Sequence, residues 1–117
     1  MANVFNYQDY REYLADFYKE KKDRKGYISY RMMGQHINVD ASYLVKVFKQ
    51  VVHLQPSSIP SILQFCGLED KEARFFEALF YFTRAKNEKD ISRYYEKMQA
   101  ILGAQDLTLK TGQYEFN

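Results

Sequence analysis

The chain has 117 residues, 46% hydrophobic and 27% charged, enough for one domain with its own core and no need of metal or disulfide staples. Its formal net charge is only +2, so composition alone does not mark a polyanion binder, and the placement of the charges matters more than their sum. A single cysteine, Cys66, excludes an internal disulfide; with no signal-peptide pattern and no apolar run of membrane-spanning length, the expected setting is cytoplasmic.

Apolar residues recur three and four apart, which predicts an all-α fold of about six helices. The first is expected from near Tyr7, capped by Asn6, with Tyr10, Tyr13, Leu14, Phe17 and Tyr18 as its inward stripe. It fades in the charge run Lys19–Lys25 and stops at Gly26. Ser29 caps a second helix that turns Met32, Met33 and Ile37 inward, and Asp40 caps a third with Leu44, Val47 and Phe48 inward. A fourth lies between Pro56 and Phe65; Pro60 falls in its first turn or kinks it. The fifth runs over roughly Asp70–Ala85 with Phe75, Phe76, Leu79, Phe80 and Phe82, an apolar face too wide for a simple surface helix. The sixth follows Asn87, carries Ile91, Tyr94, Tyr95, Met98, Ile101 and Leu102, and is expected to end at Gly103. Beyond it, Leu107/Leu109 and Tyr114/Phe116 alternate like strand residues. The organisation predicted is one helical domain over 1–104 and an extended tail or linker over 105–117 leading toward an absent second domain.

The stretch Ser29–Lys49 has the parts of a helix-turn-helix. Gly34 is the small residue where two helices cross, and Met33, Ile37, Val39 and Leu44 line their inner faces. Asn38 tolerates the left-handed turn, and Asp40 starts the second helix. This spacing resembles the Cro-type helix-turn-helix of phage repressors, and Pro56–Leu68 resembles the fourth helix of that fold. The alternative is an ordinary helical hairpin inside a bundle.

A wider resemblance covers nearly the whole chain. The opening VFNYQDYREYLADFYKEKK, the run from SYRMMGQHINV through LQFCGLEDKEARFFEALFYFTRAK, and DISRYYEKM are similar to a bacterial family of regulator-like proteins first catalogued as a major paralogous group in Fibrobacter. That resemblance implies a helical N-terminal domain with a Cro-like motif followed by a second domain, so the chain is expected to be a piece of a longer protein or a short paralogue. It departs from the family after the third helix. Relatives tend to carry a Gly-Lys-Arg-Asn-like turn where this chain has Gln50-Val51-Val52-His53, without basic residues for phosphate.

The expected partner is duplex DNA, with the third helix in the major groove. Ser42 and Lys46 can hydrogen-bond base edges, Ala41 and Val45 can meet thymine methyls, and Lys49 also faces outward. Tyr30, Arg31 and Tyr43 can hold phosphates. A denser basic cluster, Lys19, Lys21, Lys22, Arg24 and Lys25, can track the backbone or simply serve as a solvated helix end. From Ser29 to Gln55 the surplus is two positive charges, Arg31, Lys46 and Lys49 against Asp40, which is thin for a DNA reader. The second function considered is therefore a protein interaction module that keeps the scaffold without strong DNA binding. A homodimer through the Phe75–Leu102 helices fits a Cro-type reader, and the module reading instead predicts a protein partner or self-assembly through the tyrosine-rich faces. His36, His53 and Cys66 lack metal-ligand spacing, and there is no glycine-rich phosphate loop, nucleophile elbow or zinc signature. No catalytic residues, cofactor or metal are assigned, and the chain is read as not an enzyme.

Overall fold

The computed structural model describes residues 2–114, and the side-chain surroundings of residues 2–103 other than Lys25. Six α-helices account for the fold, and the described residues contain no strand. They are α1 (Tyr10–Lys25), α2 (Tyr30–Ile37), α3 (Ala41–Phe48), α4 (Ile59–Cys66), α5 (Asp70–Arg84) and α6 (Glu88–Tyr114).

Local chemistry accounts for most of the boundaries. The first helix starts three residues later than Asn6 would place it. Asp9 is the better cap, because its carboxylate accepts the Arg11 N–H at 2.8 Å and also pairs with the Arg11 guanidinium at 2.9 and 3.0 Å. The residues before it form a single 3₁₀ turn, Val4–Asn6, with Asn3 accepting the Phe5 N–H. Gly26, at φ 78°, closes α1. The Ser29 hydroxyl accepts the Met32 N–H at 3.1 Å and opens α2, and Asn38, at φ 61°, closes it. Pro60 lies in the first turn of α4, where its missing N–H removes no helical bond.

The helix α1 is the shared wall of the molecule. It packs on α3 on one side and on α5 on the other, while α2 touches both α3 and α4. Tyr10, Tyr13 and Leu14 from α1 meet Met33 and Ile37 from α2, Leu44 and Val47 from α3, Ile62 from α4, and Phe75, Phe76, Leu79 and Phe80 from α5 in one core. The wide aromatic face of α5 is thus explained by burial: four of its large side chains lie against α1 and the N-terminal turn. Met32 is an exception to the expected inward face of α2; it is 37% exposed.

The last two helices form an antiparallel-like hairpin unit in which Tyr81 and Tyr94 stack at 5.4 Å and Met98 is buried. Two expectations fail here. Helix α6 does not stop at Gly103, and the supposed extended tail is helical through Tyr114, so the helix passes the 104/105 boundary without interruption. Glycine inside a helix costs only about 1 kcal/mol, and the alanine, glutamine, leucines and lysine that follow are good helix formers. Their propensity outweighs the two-residue alternation of Leu107 and Leu109. Phe116 lies outside the described residues.

Candidate nucleic-acid interface

Two eight-residue helices and the turn between them build the surface. Asn38 in the left-handed conformation lets the Val39 N–H return to the Gly34 carbonyl at 2.9 Å, which folds the turn tightly against α2. Asp40 occupies the N-cap position of α3 with extended backbone, but its side chain makes no capping bond, so the helix relies on packing more than its sequence suggests. Leu44 and Val47 then anchor α3 in the core.

With those two residues inward, helical geometry fixes what faces out. Ser42, Lys46 and Lys49 are exposed, Ala41 and Val45 are half-buried, and positions 42, 45, 46 and 49 share one face. Arg31, at the start of α2, is exposed as well. Among the described residues, no acid forms an ion pair with Arg31, Lys46 or Lys49. These cations are exposed to solvent.

Other residues of the expected site are placed differently. Tyr30 stacks on Tyr18 at 4.6 Å and meets Phe48 edge-on at 5.8 Å, so its ring seals the junction of α1, α2 and α3 while remaining 41% exposed. Tyr43 donates its hydroxyl proton to the His53 carbonyl at 2.5 Å and acts as a strut beneath the turn. The basic cluster of α1 is divided. The Lys21 ammonium sits over the rings of Phe17 and Phe65, at 5.2 and 5.3 Å, on the α4 side of the molecule. Arg24 lines the same groove of about 480 Å³, beside Phe65, Cys66 and Glu72. Lys22 is exposed one turn beyond Tyr18, and so lies on the face of α1 that meets Tyr30 and Phe48. The Lys25 side chain lies outside the described residues. The basic run is thus not one patch beside α3. Cys66 in the groove is a half-buried thiol whose pKa is pushed up to about 12 by desolvation, so it stays protonated at neutral pH. Among the described residues, no three histidine, cysteine or carboxylate side chains are placed to hold a metal ion. Nor is any helix among them long and apolar enough to cross a membrane.

The turn after α3 is more tightly built than its neutral sequence implies. Gln50 is left-handed at φ 62°, its N–H goes to the Val47 carbonyl, and the Val51 N–H goes back to the Lys46 carbonyl, both at 2.9 Å. That is the double bond pattern by which glycine usually ends a helix, as Gly67 does for α4. A glutamine there bears the steric cost of a Cβ in the left-handed region. Gln50→Gly is expected to raise stability by roughly 1 kcal/mol, read as a higher urea midpoint at unchanged m-value.

Long-range bonds then clamp the turn to α1. Arg11 donates to the Val52 carbonyl at 3.2 Å, and the fully buried Tyr10 hydroxyl accepts the Leu54 N–H at 2.7 Å. The same hydroxyl lies 3.2 Å from His53 Nδ1. Because it already accepts from Leu54, its own proton is free for Nδ1, an arrangement that takes the neutral Nε2–H tautomer of His53. Desolvation lowers the His53 pKa, and Arg11, Arg84 and Lys86 lower it further against the opposing Asp9. No local sequence signal marks this network; its members are more than forty residues apart. Compared with known protein families, with curated proteins and with solved structures, the chain gives no significant match.

Proposed function

We propose that this chain is a sequence-specific DNA-binding domain of a transcriptional regulator, of the Cro-like helix-turn-helix type and of the regulator-like family it resembles. The observation that carries the reading is the outward face of α3, where Ser42, Val45, Lys46 and Lys49 line up with both lysines unpaired among the described residues. In this reading α3 lies in the major groove, Ser42 and Lys46 meet base edges, and Ala41 and Val45 meet thymine methyls. Arg31, Tyr30 and Lys49 serve the flanking phosphates. Selection of bound fragments from random duplex DNA at near-physiological salt tests it. Enrichment of a common sequence is the expected result, and on that sequence Lys46→Ala should cost at least about 1 kcal/mol by fluorescence anisotropy. Recovery of unenriched DNA would remove the reading.

One observation favours the second reading, an interaction module that self-associates. On α6, Ile91 is 39% and Tyr95 50% exposed, on the same helix whose Met98 is buried against α5. A symmetric pairing of α6 with its copy would cover both residues. It would also give a DNA reader the two-fold symmetry that half-sites require. Light scattering at micromolar concentration is expected to give twice the chain mass for the parent and the single chain mass for Tyr95→Glu. A monomeric parent would exclude this interface.

A further inference from the structure

The neutral turn Gln50–His53 removes the phosphate contacts expected just past the reading helix, yet it is joined through Tyr10 to the end of α5, which carries Arg84 and leads to Lys86. Three segments meet at this end of the molecule: the start of α1, the turn itself, and the end of α5. Tyr10 joins them, since its ring packs on Phe80 of α5 at 4.4 Å and its hydroxyl holds Leu54 and His53. Its backbone N–H also meets the Thr83 hydroxyl. The next residue in α5, Arg84, lays its guanidinium over Phe80 at 5.6 Å. Its Nε is buried and has no hydrogen-bond acceptor among the described residues, while the side chain as a whole is half-exposed. Lys86 follows in the exposed α5–α6 loop.

We propose that Arg84 and Lys86, with Arg11 holding the turn in place, form a phosphate-contacting site that flanks the Gln50–His53 turn and grips the DNA backbone next to α3. The charge balance supports it. Arg11 is spent on Asp9 and on the Val52 carbonyl, so it positions the turn. Arg84 and Lys86 have no such acid; the ion pairs among the described residues are Arg11–Asp9 and Arg93–Asp90. Burial is the main reason the proton affinity of His53 is lowered, and Arg11, Arg84 and Lys86 lower it further. A cation in the last turn of a helix is favoured by the dipole wherever it points. That accounts for Arg84 along the helix axis, but not for its seat over Phe80, the ring that packs on the Tyr10 side chain holding the turn, nor for a second cation two residues on at Lys86. Arginine at a fixed, ring-stacked position suits a phosphate oxygen, because its planar fork is already oriented.

This inference rests on the DNA-binding reading, and the test separates the two. Affinity for a short mixed-sequence duplex is measured by anisotropy between about 50 and 200 mM salt, where each neutralised phosphate contributes about −0.9 to the slope of log K against log salt. The parent is expected to show a clear negative slope. Arg84→Gln/Lys86→Gln should flatten it by roughly 1–2, while Arg84→Lys/Lys86→Arg should keep it. Lys86→Gln alone, an exposed change with no folding cost, should flatten it by about 0.9. A parent with a steep slope that neither Lys86→Gln nor the double neutral variant alters would overturn this site and leave the DNA reading intact. A parent with no salt-dependent binding would overturn both.

Discussion

Gly34→Ala is expected to destabilise the protein by about 3 kcal/mol, although alanine is the better helix former. A Cβ built on Gly34 would sit 2.4 Å from the Val39 carbonyl oxygen, 3.5 Å from its carbon and 3.6 Å from the Ala41 nitrogen. Every one of those atoms is backbone, so no side chain can swing aside. Relief requires the turn to open. Opening it would break the Val39 N–H bond to the Gly34 carbonyl and move Asn38 out of its left-handed cap. The helix-propensity gain of about 1 kcal/mol is too small to offset that. Gly103→Ala provides the contrast within the same molecule. It is also a helical glycine, but nothing lies within 4 Å of the added carbon, so a gain of roughly 0.5–1 kcal/mol is expected. Urea midpoints of the two variants, measured side by side, check both signs. A Gly34→Ala protein as stable as the parent would show that α2 and α3 do not approach as closely as described.

The contrast also shows which parts of this molecule are readable from sequence. Gly34 was recognisable because a small residue, a left-handed-tolerant Asn38 and apolar inner faces stand at fixed spacing, and all of that is local. The same holds for Ser29 and Gly26, whose capping bonds span a few residues. The outward face of α3 follows from helical period once Leu44 and Val47 are taken as inward. What could not be read is what distant residues do to a side chain. Tyr43 and Lys21 look like phosphate ligands by type, but the His53 carbonyl takes one and the Phe17 and Phe65 rings the other. Asp9 displaced Asn6 as the cap because the Arg11 side chain reinforces it, a partner the capping pattern does not include. The length of α6 is not legible locally, because Gly103 and the alternating Leu107 and Leu109 point away from a helix while the helix formers among them sustain it.

The largest effect that sequence alone would not have suggested lies in the clamp on the turn. Tyr10→Phe keeps the ring against Phe76 and Phe80 and removes one oxygen. The Leu54 N–H, at a fully buried residue, then has no acceptor, and His53 Nδ1 loses its donor. An unsatisfied buried donor plus a lost neutral hydrogen bond should together cost about 3 kcal/mol. Chemical unfolding measures it, and a cost below about 1 kcal/mol would mean that water replaces the hydroxyl. The same clamp gives stability a pH dependence with a definite sign. His53 has a folded pKa below its ordinary value of about 6.5. The unfolded chain therefore binds the extra proton more readily, and stability must rise with pH through that range. Desolvation is the first cause, followed by Arg11 and Arg84; Asp9 opposes them, and Lys86 adds to them. Protonation would also set a second N–H against the Tyr10 hydroxyl, which would have to turn its own proton away. His53's contribution is thus complete above about pH 6.5 and fades as the pH falls through the lowered folded value. His53→Gln should shallow the decline in melting temperature between neutral and mildly acidic pH, and an unchanged pH profile would show that the decline belongs to other groups.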